Sequence, residues 1–115
     1  METVFRGNVY LVDLGHSIGS VQEGVRPCVV ISNDANNLFS QIVQVIPFTS
    51  TIKNDLPIHY ILLAQKHKFL DVDSMALTEQ ITTISKEQIL QYIGTLDKRD
   101  MENILLRLDI QLGRK

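Results

Sequence analysis

The stretch "SKEQILQYIGTLDKRDMENILLRLDIQLG", Ser85 to Gly113, is where the chain changes its period. Ser85 with Gln88 three residues on has the spacing of a capping box, in which a hydroxyl and an amide each satisfy an orphan N–H at a helix start. That pattern predicts a short helix from Ser85, closed by Gly94. Asp97 is a candidate N-cap for a second helix. Behind it Met101, Ile104, Leu105, Leu108 and Leu112 recur at three- and four-residue steps, one face of an α-helix that Gly113 ends.

Upstream the pattern is that of strands. In Asn8–Leu14, Val9 and Leu11 alternate with Tyr10 and Val12, which predicts a strand with one wetter face. Gly15–Gly24 holds three glycines and two serines without apolar period, a long flexible loop. "RPCVVIS" (Arg26–Ser32) is a continuous apolar strand, and Pro27 has to be its first residue or lie at an edge. Asn33–Asn37 reads as a turn, and Gln41–Ser50 as a strand ended by Pro47. Thr51–Asp55 reads as loop, Leu56–Leu63 as a strand, and "QKHKF" (Gln65–Phe69) as a turn or one helical turn. Asp73–Ser85 carries one or two short, β-branched strands. Short strands followed by helices predict an α+β class, a curled antiparallel sheet or small barrel with C-terminal helices.

The 115 residues make a single domain, 1–115, and a 44% hydrophobic content suffices for one modest core. A net charge of −2 speaks against the broad basic face of a generic nucleic-acid binder, though not against a local basic site. Cys28 is the one cysteine, which excludes an internal disulfide and a thiolate zinc set and fits a reducing compartment. The N-terminus lacks a signal-peptide pattern, and no apolar run approaches the ~20 residues that cross a bilayer. A soluble, cytoplasmic chain without membrane partner is expected.

Most chemistry is easily rejected. His16, His59 and His67 have no ligand spacing and read as surface or loop histidines, so no metal site is expected. Cys28 lies within an apolar strand, the setting of a small hydrophobe and not of a nucleophile. Phosphate loops and nucleophile elbows are absent from the sequence. Lys66, His67 and Lys68 can touch phosphate, but such clusters are commonly solvated turns. Arg26 differs, because Gly24 lets the loop turn and Pro27 forces an extended backbone, so its fork of donors starts from a stiff base. Arg26 either binds an anion or pairs with a carboxylate such as Asp13 or Glu79, and residue chemistry alone leaves both open. Thr49 and Ser50 in "PFTS" offer hydroxyls at a strand end, and would meet Arg26 on one anion if the two strand ends were neighbours.

"RGNVYLVDL", "GSVQEGVRPCVVISND", "VIPFTS" and "EQITTI" occur in the order and spacing of the MazF/PemK toxin endoribonucleases, and the chain resembles that family from Arg6 to its last helix. The resemblance implies an SH3-like barrel with appended helices, acting as a homodimer. It implies metal- and cofactor-free cleavage of single-stranded RNA to 2′,3′-cyclic phosphate and 5′-hydroxyl ends. It also implies inhibition by a MazE-like, partly disordered antitoxin. By similarity Arg26 and Thr49 match the catalytic pair, and Ser20, Gln22, Ser74, Glu79 and Gln80 match positions bordering the RNA groove. Base specificity is expected in the loops Gly15–Gly24 and Thr51–Leu56. The chain departs from the family at Asn8, usually a carboxylate, and at Thr82, often arginine. Leu77 and Glu79 stand where plasmid-borne members have arginine and aspartate, so the chain resembles the chromosomal Gram-positive branch and its general base is not assigned. Two rivals share parts of the pattern. A gyrase-binding toxin of the CcdB type ends in tryptophan-glycine-isoleucine, whereas this chain ends "LGRK" without tryptophan. A catalytically weak binding paralogue is the other.

Overall fold

Two neighbouring strands, β2 (Val25–Val30) and β3 (Ile42–Thr49), carry unbroken apolar runs because both of their faces are covered. Val29 and Ile46 point into one core with Val9, Phe48, Leu62 and Ala76, beneath Ile104 and Leu108 of the C-terminal helix. Cys28, Val30, Val43 and Val45 point into a second core with Tyr10, Val12 and Ile84. Each fully buried valine is worth about 1.5–2 kcal/mol of transfer from water. The computed structural model describes residues 3–52 and 56–115, so part of the expected loops Thr51–Asp55 and Thr51–Leu56 lies outside the described residues.

The sheet is antiparallel. Its path runs β4 (His59–Leu62), β5 (Ser74–Leu77), β3, β2, β1 (Asn8–Asp13) and β7 (Ile89–Thr95), with β6 (Thr82–Ser85) also on β3. β3 holds the structure together by changing partners: Ile42–Val45 pair with β6, and Phe48 and Thr49 pair with β5. Pro47 lies where that edge has no partner, so its missing N–H costs nothing and the strand runs on to Thr49. Pro27 is likewise the third residue of β2, not its first, and pairing with β3 starts only at Cys28. The outer strands β4 and β7 do not pair with each other, so the α+β sheet is curled but not closed into a barrel.

Several elements differ from the sequence reading. β1 has no wet face along its centre: Val9 fills one core, Tyr10 and Val12 the other. Asn33–Asn37 is not a turn but leads into a short helix, α1 (Asp34–Phe39), with the Asn33 side chain accepting from the Asn36 N–H at 2.8 Å. The Ser85 capping box forms, Gln88 Oε1 accepting from the Ser85 N–H at 2.8 Å, but it opens only a 3₁₀ turn, Lys86–Gln88. The chain then becomes β7, whose Gln91 and Tyr92 pair with Leu11 and Tyr10. Gly94 is therefore no helix cap; a side chain there would collide with the Phe69 ring, which rests on it. A single C-terminal helix remains, α2 (Lys98–Gln111), capped by Asp97 accepting from the Asp100 N–H at 2.8 Å. Ile104 and Leu108 are buried, while Leu112 at its end is exposed. No described helix is long and apolar enough to cross a membrane.

Candidate active site

The loop before Arg26 closes on itself: Leu14 N–H donates to Gly24 O and Gly24 N–H to Gly15 O, each at 2.9 Å. Gly24 does so at φ +75°, a left-handed conformation that a side chain would strain. From there β2 pairs at once with β1, placing Arg26 opposite Val12. The half-buried Arg26 donates from Nε to Glu23 O at 3.1 Å, which tethers the guanidinium. Its terminal nitrogens have no hydrogen-bond partner among the described residues, and neither Asp13 nor Glu79 pairs with it.

Register brings Thr49 to the same place. Cys28 faces Pro47 across β2 and β3, so two residues back along β2 and two forward along β3 bring Arg26 and Thr49 together. Both line one cavity of about 410 Å³, with Ser50, Asp71 and Ser74 on its polar wall and Leu11, Phe48 and Ile93 among its apolar residues. Thr49 Oγ1 accepts from the Thr51 N–H at 3.1 Å, leaving its own O–H to donate into the cavity. Ser74 is buried and donates to Val72 O at 3.1 Å. Charge on an apolar floor acts more strongly than in open water. Cys28 behind Arg26 takes no part: burial pushes its thiol up to about 12, the arginine's opposing pull being smaller.

The other groove candidates fall elsewhere. Gln80 straps the loop down, its Nε2 donating to Ser20 O at 2.9 Å and its Oε1 accepting from the Gln22 N–H at 3.1 Å. Gln22 and Gln80 line a smaller cavity of about 120 Å³, where Gln22 Oε1 is buried without a partner among the described residues. Glu79 is in neither cavity; its Oε2 meets Nε2 of His59 at 2.8 Å. Asn8 uses an ability that a carboxylate lacks, donating to Tyr10 OH at 3.1 Å while accepting from Thr95 Oγ1 at 2.8 Å. Asp71 was missed in the sequence, where nothing marks one more surface aspartate; only the fold brings it to Arg26's cavity.

Of the histidines read as surface or loop residues, His67 does lie in a loop, although hardly exposed, while His59 stands within β4. His59 is buried. His67, nearly buried, sits between Leu63 O on Nδ1 and Asp100 Oδ2 on Nε2, both at 2.8 Å, so both ring nitrogens face acceptors. Burial pulls its pKa down, but Asp100 and the Leu63 carbonyl outweigh this and the net shift is upward. Asp100 also accepts from Tyr60 OH at 2.7 Å; burial raises its pKa, and these donors more than reverse that. Burial, then the Asp100 bond, push the Tyr60 phenol up to about 12. Among the described residues no three His, Cys, Asp or Glu side chains are grouped as metal ligands.

Known proteins share this arrangement of sequence and fold. Residues 5–112 match the family described as PemK-like, MazF-like toxin of type II toxin-antitoxin system. The endoribonuclease EndoA of Bacillus subtilis is 42% identical over 111 residues, covering 96% of this chain and 95% of its own length. The endoribonuclease MazF of Staphylococcus saprophyticus is 40% identical over 109 residues, 94% of this chain and 90% of that protein. A mycobacterial endoribonuclease solved in complex with its cognate antitoxin superimposes with a TM-score of 0.79 at 25% identity, over 97% of both chains. The chain therefore belongs to the PemK-like, MazF-like toxins of type II toxin–antitoxin systems.

Proposed function

We propose that this chain is a toxin endoribonuclease that cuts single-stranded RNA within the cavity of Arg26 and Thr49. The observation that carries the reading is the meeting of an arginine with no carboxylate partner among the described residues and a threonine hydroxyl with its proton to donate. The ribose 2′-oxygen attacks its own neighbouring phosphorus, so the substrate itself supplies proximity. The bond from phosphorus to the 5′-oxygen breaks, leaving a 2′,3′-cyclic phosphate and a 5′-hydroxyl. Arg26 and Thr49 bind the non-bridging oxygens as negative charge grows on them. Asp71, the one carboxylate lining that cavity among the described residues, takes the 2′-hydroxyl proton, and a proton returns to the 5′-oxygen. The family resemblance supports a reaction without metal, a homodimer, a cytoplasmic setting and a cognate antitoxin that covers the cavity.

The test is cleavage of a long RNA by the wild-type chain and by Arg26→Ala, with the cut sites mapped by primer extension. The expected result is internal cutting that survives excess chelator and is lost in the variant, whose melting curve stays that of the wild type. Cutting by the variant at the wild-type rate removes Arg26 from the mechanism. DNA of the same sequence, lacking the 2′-hydroxyl, binds without being cut.

A further inference from the structure

A second cavity, of about 400 Å³, adjoins the first, and the Phe69 ring lines both. Lys66, Lys68 and Arg99 stand around it, and none of the three forms an ion pair among the described residues. The two acids on its wall, Asp97 and Asp100, pair with none of these cations among the described residues. Asp97 accepts from the Asp100 N–H, and Asp100 holds Tyr60 and His67. Three cations against two acids leave the hollow with an excess of positive charge, in a chain that has 13 acidic and 11 basic residues.

An exposed cationic hollow beside an aromatic ring is what a single strand requires, cations for the backbone and a flat ring for a base. An RNA strand held at Arg26 must leave that cavity, and Phe69 is the wall common to both. Gly94, having no side chain, lets the ring lie there. We propose that Lys66, Lys68 and Arg99 bind backbone phosphates of the same RNA strand on one side of the cut, with a base at Phe69 between them. This rests on the endoribonuclease reading and extends it to a site whose occupant lies outside the reaction centre.

Counterion release gives the measurement. Each phosphate contact on a single strand contributes about 0.7 to the slope of log K against log salt. Uncleavable 2′-deoxy oligonucleotides of about 4 and about 12 nucleotides are titrated between ~50 and ~200 mM salt. The Lys66→Gln/Lys68→Gln/Arg99→Gln variant is expected to lower the slope by about 2 for the longer strand only. Single variants, whose exposed side chains leave the fold alone, each lower it by about 0.7. An unchanged slope in a variant of an RNA-cutting wild type overturns the site and leaves the ribonuclease reading standing. A wild type that neither cuts nor binds RNA overturns both. Substitutions that abolish binding of a labelled oligoglutamate peptide, with the oligonucleotide slope unchanged, make the hollow a polypeptide site and overturn the proposal.

Discussion

The cavity at Arg26 and the cluster at Asp100 both gather charges and hydroxyls, yet at Asp100 the charges are answered and at Arg26 they are open. Asp100 takes Tyr60 and His67 on its two oxygens, and its backbone N–H goes to Asp97. Among the described residues the Arg26 guanidinium makes one bond, through Nε, and Thr49 has a proton to give. A buried polar cluster whose bonds are satisfied holds elements together; here it ties β4 and the turn at His67 to the start of α2. Polar groups left open on an apolar floor are costly to keep and suit a ligand that completes them. The first kind of cluster predicts stability effects, the second activity effects.

Substitutions can break that contrast directly. The largest effect is expected at Arg26→Ala, a loss of about 10³-fold or more in RNA cleavage rate with little change in melting temperature. Thr49→Val and Asp71→Asn are expected to cost about 10²-fold each, again without unfolding. A large drop in melting temperature for any of the three would blur the distinction between the two regions. Asp100→Asn should behave in the opposite way. Losing the partner of His67 is expected to cost about 3 kcal/mol of stability, read from denaturant midpoints, while cleavage well below the melting temperature is retained.

The same pair sharpens the contrast through pH. His67 is raised above its ordinary 6.5, so its stabilisation is complete below pH 6.5 and is lost as pH rises through the raised value. Asp100 is lowered below its ordinary 3.8, so its contribution is complete above pH 3.8 and fades as pH falls through the lowered value. The pair is therefore strongest between those two ordinary values, and melting temperature declines on the alkaline side. Asp100→Asn should flatten that decline; an equal alkaline slope in both chains would detach the effect from His67. The smallest expected change is at Gln80→Ala, which unstraps the loop over Gln22 and raises the KM for RNA about fivefold, on the scale of one lost hydrogen bond.

The parts of the fold legible in the sequence were those decided locally. The period of α2 and its Asp97 cap depend on neighbours within four residues. At Ser85–Gly94 the local signal was genuine and still lost. The capping box formed, but the open edge of β1 took the following residues as a strand, with Tyr92 edge-on to Tyr10 at 5.8 Å. Tertiary pairing overrode a start signal that had no apolar face behind it. The histidines misled for a related reason, since Glu79 is 20 residues from His59 and Asp100 is 33 from His67. For the site, the sequence raised Arg26 and Thr49 as a pair only on the condition that their strand ends were neighbours, and the family resemblance named both. Their meeting depends on the Cys28–Pro47 register, a relation between strands that spacing along the chain does not contain.

Cys28 occupies that register position, fully buried, with its thiol pushed up to about 12. As the chain's one cysteine it is a built-in clock. A thiol reagent can reach it only when β2 and β3 part, so the labelling rate counts openings of the floor beneath Arg26. An antitoxin or RNA that holds those strands together would slow the clock, which reads occupancy of the cavity without any catalysis.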